Sequence, residues 1–259
     1  LPKPLIPIGD MPILEILVRQ LKNHGVTSII MAVGHLHHMI EAYFKDGTDY
    51  GIQIKYSLEK QALGTAGPLG LVIDELEDNF LVLNGDLLTT IDFKKLFEKH
   101  LSENAAATIA TFPRTVDIDF GVVELDENSE LFDFKEKPSL KYKVSMGINV
   151  FQKHAIQPLI KTGSYLDIPE LMMILKNKNQ KVYCYQEKCK WLDIGRVDDY
   201  SLANEIFESN KSQFLPGFWV RVLITGASGF IGQSLIKYLL GINCEIFNLG
   251  SSEVKNSTH

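Results

Sequence analysis

Cysteine is scarce in this sequence. The three present, Cys184, Cys189 and Cys244, are irregularly spaced and none falls in a CxxC pair, so a disulfide framework is excluded and a reducing, cytoplasmic setting is expected. Long apolar runs are lacking too: none reaches the roughly 18 to 20 residues that a membrane span requires. No basic stretch followed by an apolar core opens the chain, so no signal peptide is expected. Positive charge is not in excess. The formal net charge of -6 offers no footprint for wrapping a nucleic-acid polymer, although a few lysines could still hold a small phosphorylated ligand. Internal repeats are absent, including any hexapeptide β-helix period. The chain begins at Leu1 without Met and runs straight into LPKPLIPIGDMPILEILVRQL, which reads as the interior of a domain.

What is present is ordinary globular material: 259 residues, 45% apolar and 22% charged, enough to bury a sizeable core in one large domain or two modest ones. Residues 12–22, PILEILVRQLK, carry apolar side chains at a helical period behind Pro12. SIIMAV (28–33) is a continuous apolar run of strand length, expected in a sheet covered on both faces. A helix follows at 39–44, a strand at 53–57, a helix at 69–76 and the apolar strand FLVLN at 80–84. Such alternation predicts an α/β sheet with helices on both faces, whose ligands lie beyond the carboxyl ends of the strands. A helix at 93–101 leads to strands at 105–112, 120–125 and 131–138. The last two flank the turn-forming DENSE and predict an antiparallel excursion. Strands at 147–151 and 181–186, the WLDIG turn and a helix at 198–207 complete this unit.

Two acidic residues stand at such strand ends. LVLNGDLL ends an apolar strand on Gly85 and Asp86, and WLDIG places Asp193 before another glycine turn. A lone strand-end Asp is equally well a turn residue bonding its own backbone. Two converging carboxylates repel each other and favour a hard cation, and Mg²⁺ held by one or two carboxylates plus substrate phosphates is a recurrent arrangement. The GHLHH cluster, His35, His37 and His38, has no neighbouring ligand run, so solvent-facing histidines are expected.

Seven fragments, KPLIPIGDMPILE, LGTAG, LNGD, FGVVE, FKEKP, GINVF and WLDIG, follow one another over residues 1–208. Their order resembles the sugar-nucleotide pyrophosphorylases, the sugar-1-phosphate nucleotidyltransferases. The resemblance implies a Rossmann-like nucleotidyltransferase domain with a mixed, mostly parallel sheet. It implies transfer of a nucleotidyl group from a nucleoside triphosphate to a sugar 1-phosphate with release of pyrophosphate. Lys3 would meet triphosphate or sugar-phosphate oxygens, and Asp86 and Asp193 would hold Mg²⁺. Gly64 and Gly67 would let the backbone approach the nucleobase. Gly121 would sit against the sugar, Glu136 would accept from a sugar hydroxyl, Lys137 would contact the sugar's phosphate, and Asn149 would line the sugar pocket. LGTAG and LNGD lean toward the guanylyltransferases for mannose- or heptose-type phosphates. Family members open with a strand and a GGxGTRL-type loop that cradles the triphosphate. This sequence starts after that point, so a fragment of an active enzyme is expected.

Residues 209–219 break the periodicity and read as a linker. Beyond it RVLITGASGFIG supplies a strand, then Gly226, Gly229 and Gly232 at GxxGxxG spacing and a helix, a context that favours a pyrophosphate. Residues 220–259 resemble the start of an extended short-chain dehydrogenase, an NAD-dependent epimerase or dehydratase. A dinucleotide occupies a multi-stranded sheet, so NAD(P) is expected only if this second domain were complete. The competing readings are a fragment of such an epimerase and a non-catalytic regulatory domain that keeps the nucleotidyltransferase fold. Self-association is compatible with each.

Overall fold

The computed structural model describes residues 1–194, 197–216, 220–225, 229–240 and 244–249. The chain divides into two compact units, Leu1–Asn204 and Glu205–His259, each described by itself.

The first unit opens with a 3-10 turn, Lys3–Leu5, and the short antiparallel pair β1 (Pro7–Ile8) and β2 (Met11–Pro12). Helix α1 (Ile13–Asn23) follows, its apolar stripe of Ile13, Ile16, Leu17 and Leu21 buried. Glu15 in its first turn is buried as well, held by Arg19 at 2.6 Å and by the hydroxyl of Tyr43. A buried carboxylate is tolerable only with such partners. Gly25, at φ +92°, ends the turn that releases the chain.

Strand β3 (Ser28–Val33), helix α2 (His37–Phe44) and strand β4 (Gln53–Leu58) form a parallel βαβ unit. The apolar run 28–33 does not lie covered on both faces among the described residues. Met31 and Val33 are buried while Ser28 and Ala32 are exposed, the alternation of a half-buried strand. The helix expected over 69–76 is shorter: α3 (Leu69–Val72) gives way to a 3-10 turn, Ile73–Glu75, where Val72 leaves helical geometry at φ -126°.

Strands β5 (Asn79–Leu83) and β6 (Leu87–Thr89) lead into helix α4 (Phe93–Glu103), capped by Asp92, whose carboxylate accepts from the Lys95 N–H at 3.0 Å. Strands β7 (Ala107–Asp117), β8 (Val122–Leu125), β9 (Leu131–Lys135) and β10 (Ser139–Gln152) come next. They are followed by α5 (Lys153–Ile156), α6 (Ile168–Asn177), β11 (Val182–Tyr185), β12 (Trp191–Asp193) and α7 (Val197–Ser209). The central sheet has the order β11-β7-β10-β5, with β11 and β7 parallel and the other two pairings antiparallel. The fold is a mixed α/β sheet. Strands β8 and β9 form the expected antiparallel excursion. Strands β7 and β10 extend beyond the expected spans because they leave the core as an exposed ribbon, where no apolar period marks them.

In the second unit, β13 (Val220–Thr225) and β14 (Cys244–Leu249) pair in parallel around α9 (Phe230–Leu240), with Ile224 and Ile236 buried. The stretch expected as a linker contains a one-turn helix, α8 (Lys211–Phe214), whose Phe214 ring lies 5.7 Å from that of Phe207. Among the described residues no helix is long and apolar enough to cross a membrane.

Candidate active site

The register of a three-residue ladder places the two strand-end aspartates together. Strand β12 runs antiparallel to β6 with Trp191 opposite Thr89 and Asp193 opposite Leu87, the residue directly after Asp86. The 3-10 turn at the start of the chain brings in Lys3, whose Nζ lies 3.3 Å from Oδ2 of Asp86. The Asp193 carboxyl titrates above the usual carboxylate range, although the residue keeps a solvent-exposed edge. Partial withdrawal from water is the main cause, Asp86 and Asp199 add like-charge repulsion, and Lys3 opposes them. Burial raises the Tyr200 phenol too, with Lys3 acting against it and Asp86 and Asp199 with it.

This donor set fits a hard divalent ion that draws its remaining oxygens from a substrate. Two neighbouring carboxylates repel each other, and among the described residues no group of three or more His, Cys, Asp or Glu side chains forms a ready cage.

The neighbouring motifs are tied to this centre by one backbone and one side-chain hydrogen bond. The Asn84 N–H of LNGD donates to the Gly147 carbonyl of GINVF at 3.0 Å, and Trp191 Nε1 of WLDIG donates to the Met146 carbonyl at 3.0 Å. Gly147 sits at φ +71°, a conformation that strains L side chains, and a Cβ there would stand 2.6 Å from Asn84 Nδ2, so this bulge favours glycine. Asn204 Oδ1 accepts the Gly9 N–H at 2.6 Å and anchors the hairpin behind Lys3 to α7. Asn149 is 2% exposed, between Val82 and Ile109 on neighbouring strands, and its Oδ1 has no protein donor among the described residues.

LGTAG makes its close approach to another part of the chain. Gly64 lies at φ +76°, and a Cβ would stand 2.6 Å from the Leu166 carbonyl oxygen. One on Gly67 would meet the Leu63 carbonyl and, at 2.5 Å, that of Ser164. Both glycines thus answer to the segment 164–167. At the carboxyl ends of β3 and β4 lies an open crevice lined by Gly34, His35, His37, His38, Glu59 and Lys60, with a volume of about 450 Å³. Glu59 donates its N–H to the Val33 carbonyl at 2.9 Å, and its Oε2 accepts the Leu63 N–H at 3.3 Å. His35 and His38 are exposed and His37 is half-buried.

Gly121 and Glu136 meet on the β8–β9 excursion: a Cβ on Gly121 would stand 2.6 Å from the Phe134 ring and 3.2 Å from Glu136 Oε2. Lys137 is exposed and holds φ +43° immediately before Pro138, a strained conformation for a non-glycine residue. Neither Glu136 nor Lys137 has an ion-pair partner among the described residues. In the second unit Gly229 is exposed, Gly232 is buried in α9, and Gly226 lies outside the described residues.

Glu59, Tyr200 and Asn204 were not singled out by sequence reasoning. The strand-end argument that flagged Asp86 would have flagged Glu59, the residue directly after β4. Tyr200 and Asn204 carry no local signal, since their relevant neighbours lie early in the chain.

Two strand-end carboxylates and a lysine are thus gathered on a mixed α/β fold. The family comparison names the class: the nucleotidyl transferase family matches residues 1–210, and the chain belongs to it. A UTP--glucose-1-phosphate uridylyltransferase of Synechocystis is 34% identical over 242 residues, 85% of this chain and 62% of the relative. A D-glycero-alpha-D-manno-heptose 1-phosphate guanylyltransferase of Campylobacter jejuni is 36% identical over 215 residues, 77% of this chain and 88% of the relative. The solved structure of HddC from Yersinia pseudotuberculosis complexed with GMP-PN is 23% identical with a TM-score of 0.62, covering 80% of this chain and 90% of that one. That likeness concerns the fold. The chain spans less than two thirds of the Synechocystis relative and most of the Campylobacter one.

Proposed function

We propose that the chain carries a sugar-1-phosphate nucleotidyltransferase unit over residues 1–208, joined through residues 209–219 to the opening of a dinucleotide-binding domain. The observation that carries this reading is the meeting of Asp86, Asp193 and Lys3 at the β6–β12 ladder.

In this reading an oxygen of the sugar phosphate attacks the α-phosphorus of a nucleoside triphosphate. A new P–O bond forms, the bond to the bridging oxygen of the β-phosphate breaks, and pyrophosphate leaves with that electron pair. The nucleophile is already ionised, so no general base is needed; the protein aligns two mutually repelling anions and stabilises charge on the transferring group. Lys3 contacts phosphate oxygens. Asp86 and Asp193 hold Mg²⁺, which when bound shields the phosphate charge. Lys137 contacts the sugar's phosphate and Glu136 accepts from a sugar hydroxyl beside Gly121. Asn149 closes the wall behind the sugar, its Oδ1 without a donor among the described residues.

The nucleobase occupies the crevice that Glu59 lines, joined to the LGTAG turn by the Leu63 N–H that Glu59 accepts. Guanine offers two adjacent N–H donors that a single carboxylate can accept together, so Glu59 favours it over uracil, which presents one N–H between two carbonyls. Of the two curated relatives named above, the guanylyltransferase agrees with this choice and the uridylyltransferase does not. The parallel pairing of β13 and β14 around α9 supports a dinucleotide-binding start, and a reducing, cytoplasmic setting fits the free, exposed Cys184.

The test is pyrophosphate release over a matrix of four nucleoside triphosphates and several sugar 1-phosphates with Mg²⁺, on this chain and on a form extended upstream of Leu1. GTP with a manno- or heptose-type phosphate is the expected pair. Folded protein that releases pyrophosphate with no pair in either form would sink the reading.

A further inference from the structure

The carboxylate of Asp167 stands at the N-cap position of α6, where an aspartate ordinarily accepts from its own helix's N–H groups. It does not do so here: no side-chain cap bond is formed. Its Oδ1 instead accepts the Thr65 N–H at 2.9 Å and the Thr65 hydroxyl at 3.1 Å, while Oδ2 accepts from Tyr165 at 2.7 Å. Thr65 returns the favour, its Oγ1 accepting the Ile168 N–H at 2.8 Å, so a residue 103 positions earlier caps the helix. Around this exchange the Ala66 and Gly67 N–H groups both donate to the Leu166 carbonyl at 2.8 and 2.9 Å, and Leu166 N–H donates to Leu63. Gly64 completes the junction by coming so close to Leu166 and Asp167 that no Cβ fits.

An ordinary N-cap would account for an Asp before Ile168, yet it would leave the helix unaffected by Thr65 and the 63–67 segment held to residues 164–167 only by its backbone bonds to Leu166. The observed exchange has the opposite effect. It fixes the backbone of a five-residue turn that has no regular structure of its own, next to the crevice that Glu59 lines. A charge-accepting bond is among the stronger ones available to such a turn. Hydrogen bonds from Tyr165 and Thr65 hold the Asp167 carboxyl below the usual carboxylate range, so the lock persists throughout the neutral pH range.

We infer that Asp167 is a positioning residue for nucleoside triphosphate binding, acting through Thr65 to hold residues 63–67 in the conformation that faces the base. This rests on the nucleotidyltransferase reading above, but the lock itself can be measured without catalysis. Asp167→Ala is expected to speed amide exchange across residues 63–67 and to raise KM for the nucleoside triphosphate about tenfold, with KM for the sugar phosphate within about twofold. Asp167→Asn, which keeps an acceptor for the Thr65 N–H, should recover most of that loss. Tyr165→Phe, which removes only the bond to Oδ2, should stay close to the parent. Equal changes in both KM values, or no change in either, would overturn the proposal, as would a Tyr165→Phe effect as large as that of Asp167→Ala. Absence of turnover in the parent chain counts against the nucleotidyltransferase reading. The lock then stands or falls on exchange alone: faster exchange in Asp167→Ala sustains it and unchanged exchange refutes it.

Discussion

The ammonium of Lys3 lies 3.3 Å from Oδ2 of Asp86, across 83 residues of chain. Both side chains keep solvent contact, so as an ion pair this contributes little to stability. Its meaning is positional: one cation stands beside carboxylates that repel each other, and in the proposed reading it transfers to a phosphate oxygen when a substrate arrives.

Asp86→Asn and Asp193→Asn should each lower kcat/KM for pyrophosphate release by about a hundredfold or more, because in the proposed reading each removes a carboxylate that would hold the ion. Full activity in either would refute its role. The two substitutions should nevertheless differ in their effect on the unliganded fold. The Asp193 pKa is raised in the folded protein, so at neutral pH its charged form opposes folding, and the opposition is relieved as pH falls through that raised value. Asp193→Asn should therefore raise the Tm of the ligand-free protein by up to about 3 °C at pH 7, with less gain at acidic pH. A lower Tm at pH 7 would contradict the assignment.

Gly64 and Gly163 separate backbone strain from steric contact. Their φ values are nearly equal, +76° and +75°, but a Cβ on Gly64 meets the Leu166 carbonyl at 2.6 Å and one on Gly163 meets nothing within 4 Å. Gly163→Ala should cost about 1–2 kcal/mol, the left-handed penalty alone, and Gly64→Ala clearly more, in matched denaturant melts. Equal losses would remove the close contact from the account.

His100 is 1% exposed and neutral in the fold. Its Nδ1 lies 2.8 Å from Thr108 Oγ1 and its Nε2 lies 3.0 Å from Asn79 Oδ1, an arrangement that suits the Nε2–H tautomer. Burial lowers its pKa. For a histidine held neutral, stability is complete above the unfolded value near 6.5 and declines as pH falls from there toward the lowered folded value. His100→Leu should cost about 1–3 kcal/mol by orphaning Asn79 and Thr108, and should flatten the Tm profile below about pH 6.5. A parallel profile in the variant would exclude His100 as the source of acid lability.

Much of this was legible in the sequence where the signal is local. The apolar period of α1, the strand ending at Leu83 and the Asp that follows it could all be read directly, and so could the likeness of seven ordered motifs to the family that the chain proves to belong to. What escaped depends on distant partners. Gly64 looks like a residue kept small for a ligand, yet its neighbour is Leu166, and nothing around Asp167 announces that its carboxylate serves Thr65. The exposed halves of β7 and β10 were missed because strands with both faces in water carry no alternation. The Asn204 to Gly9 bond spans 195 residues, beyond the reach of any local pattern.

The most direct test of the central claim is to follow oxygen through one turnover. A sugar 1-phosphate labelled with ¹⁸O at its three non-bridging phosphate oxygens is incubated with GTP, Mg²⁺ and the protein, and the products are weighed by mass spectrometry. Attack by the sugar phosphate on the α-phosphorus predicts a nucleotide sugar that keeps all of the label and pyrophosphate that carries none. Label in the pyrophosphate, or nucleotide consumed with no nucleotide sugar formed, would contradict the account.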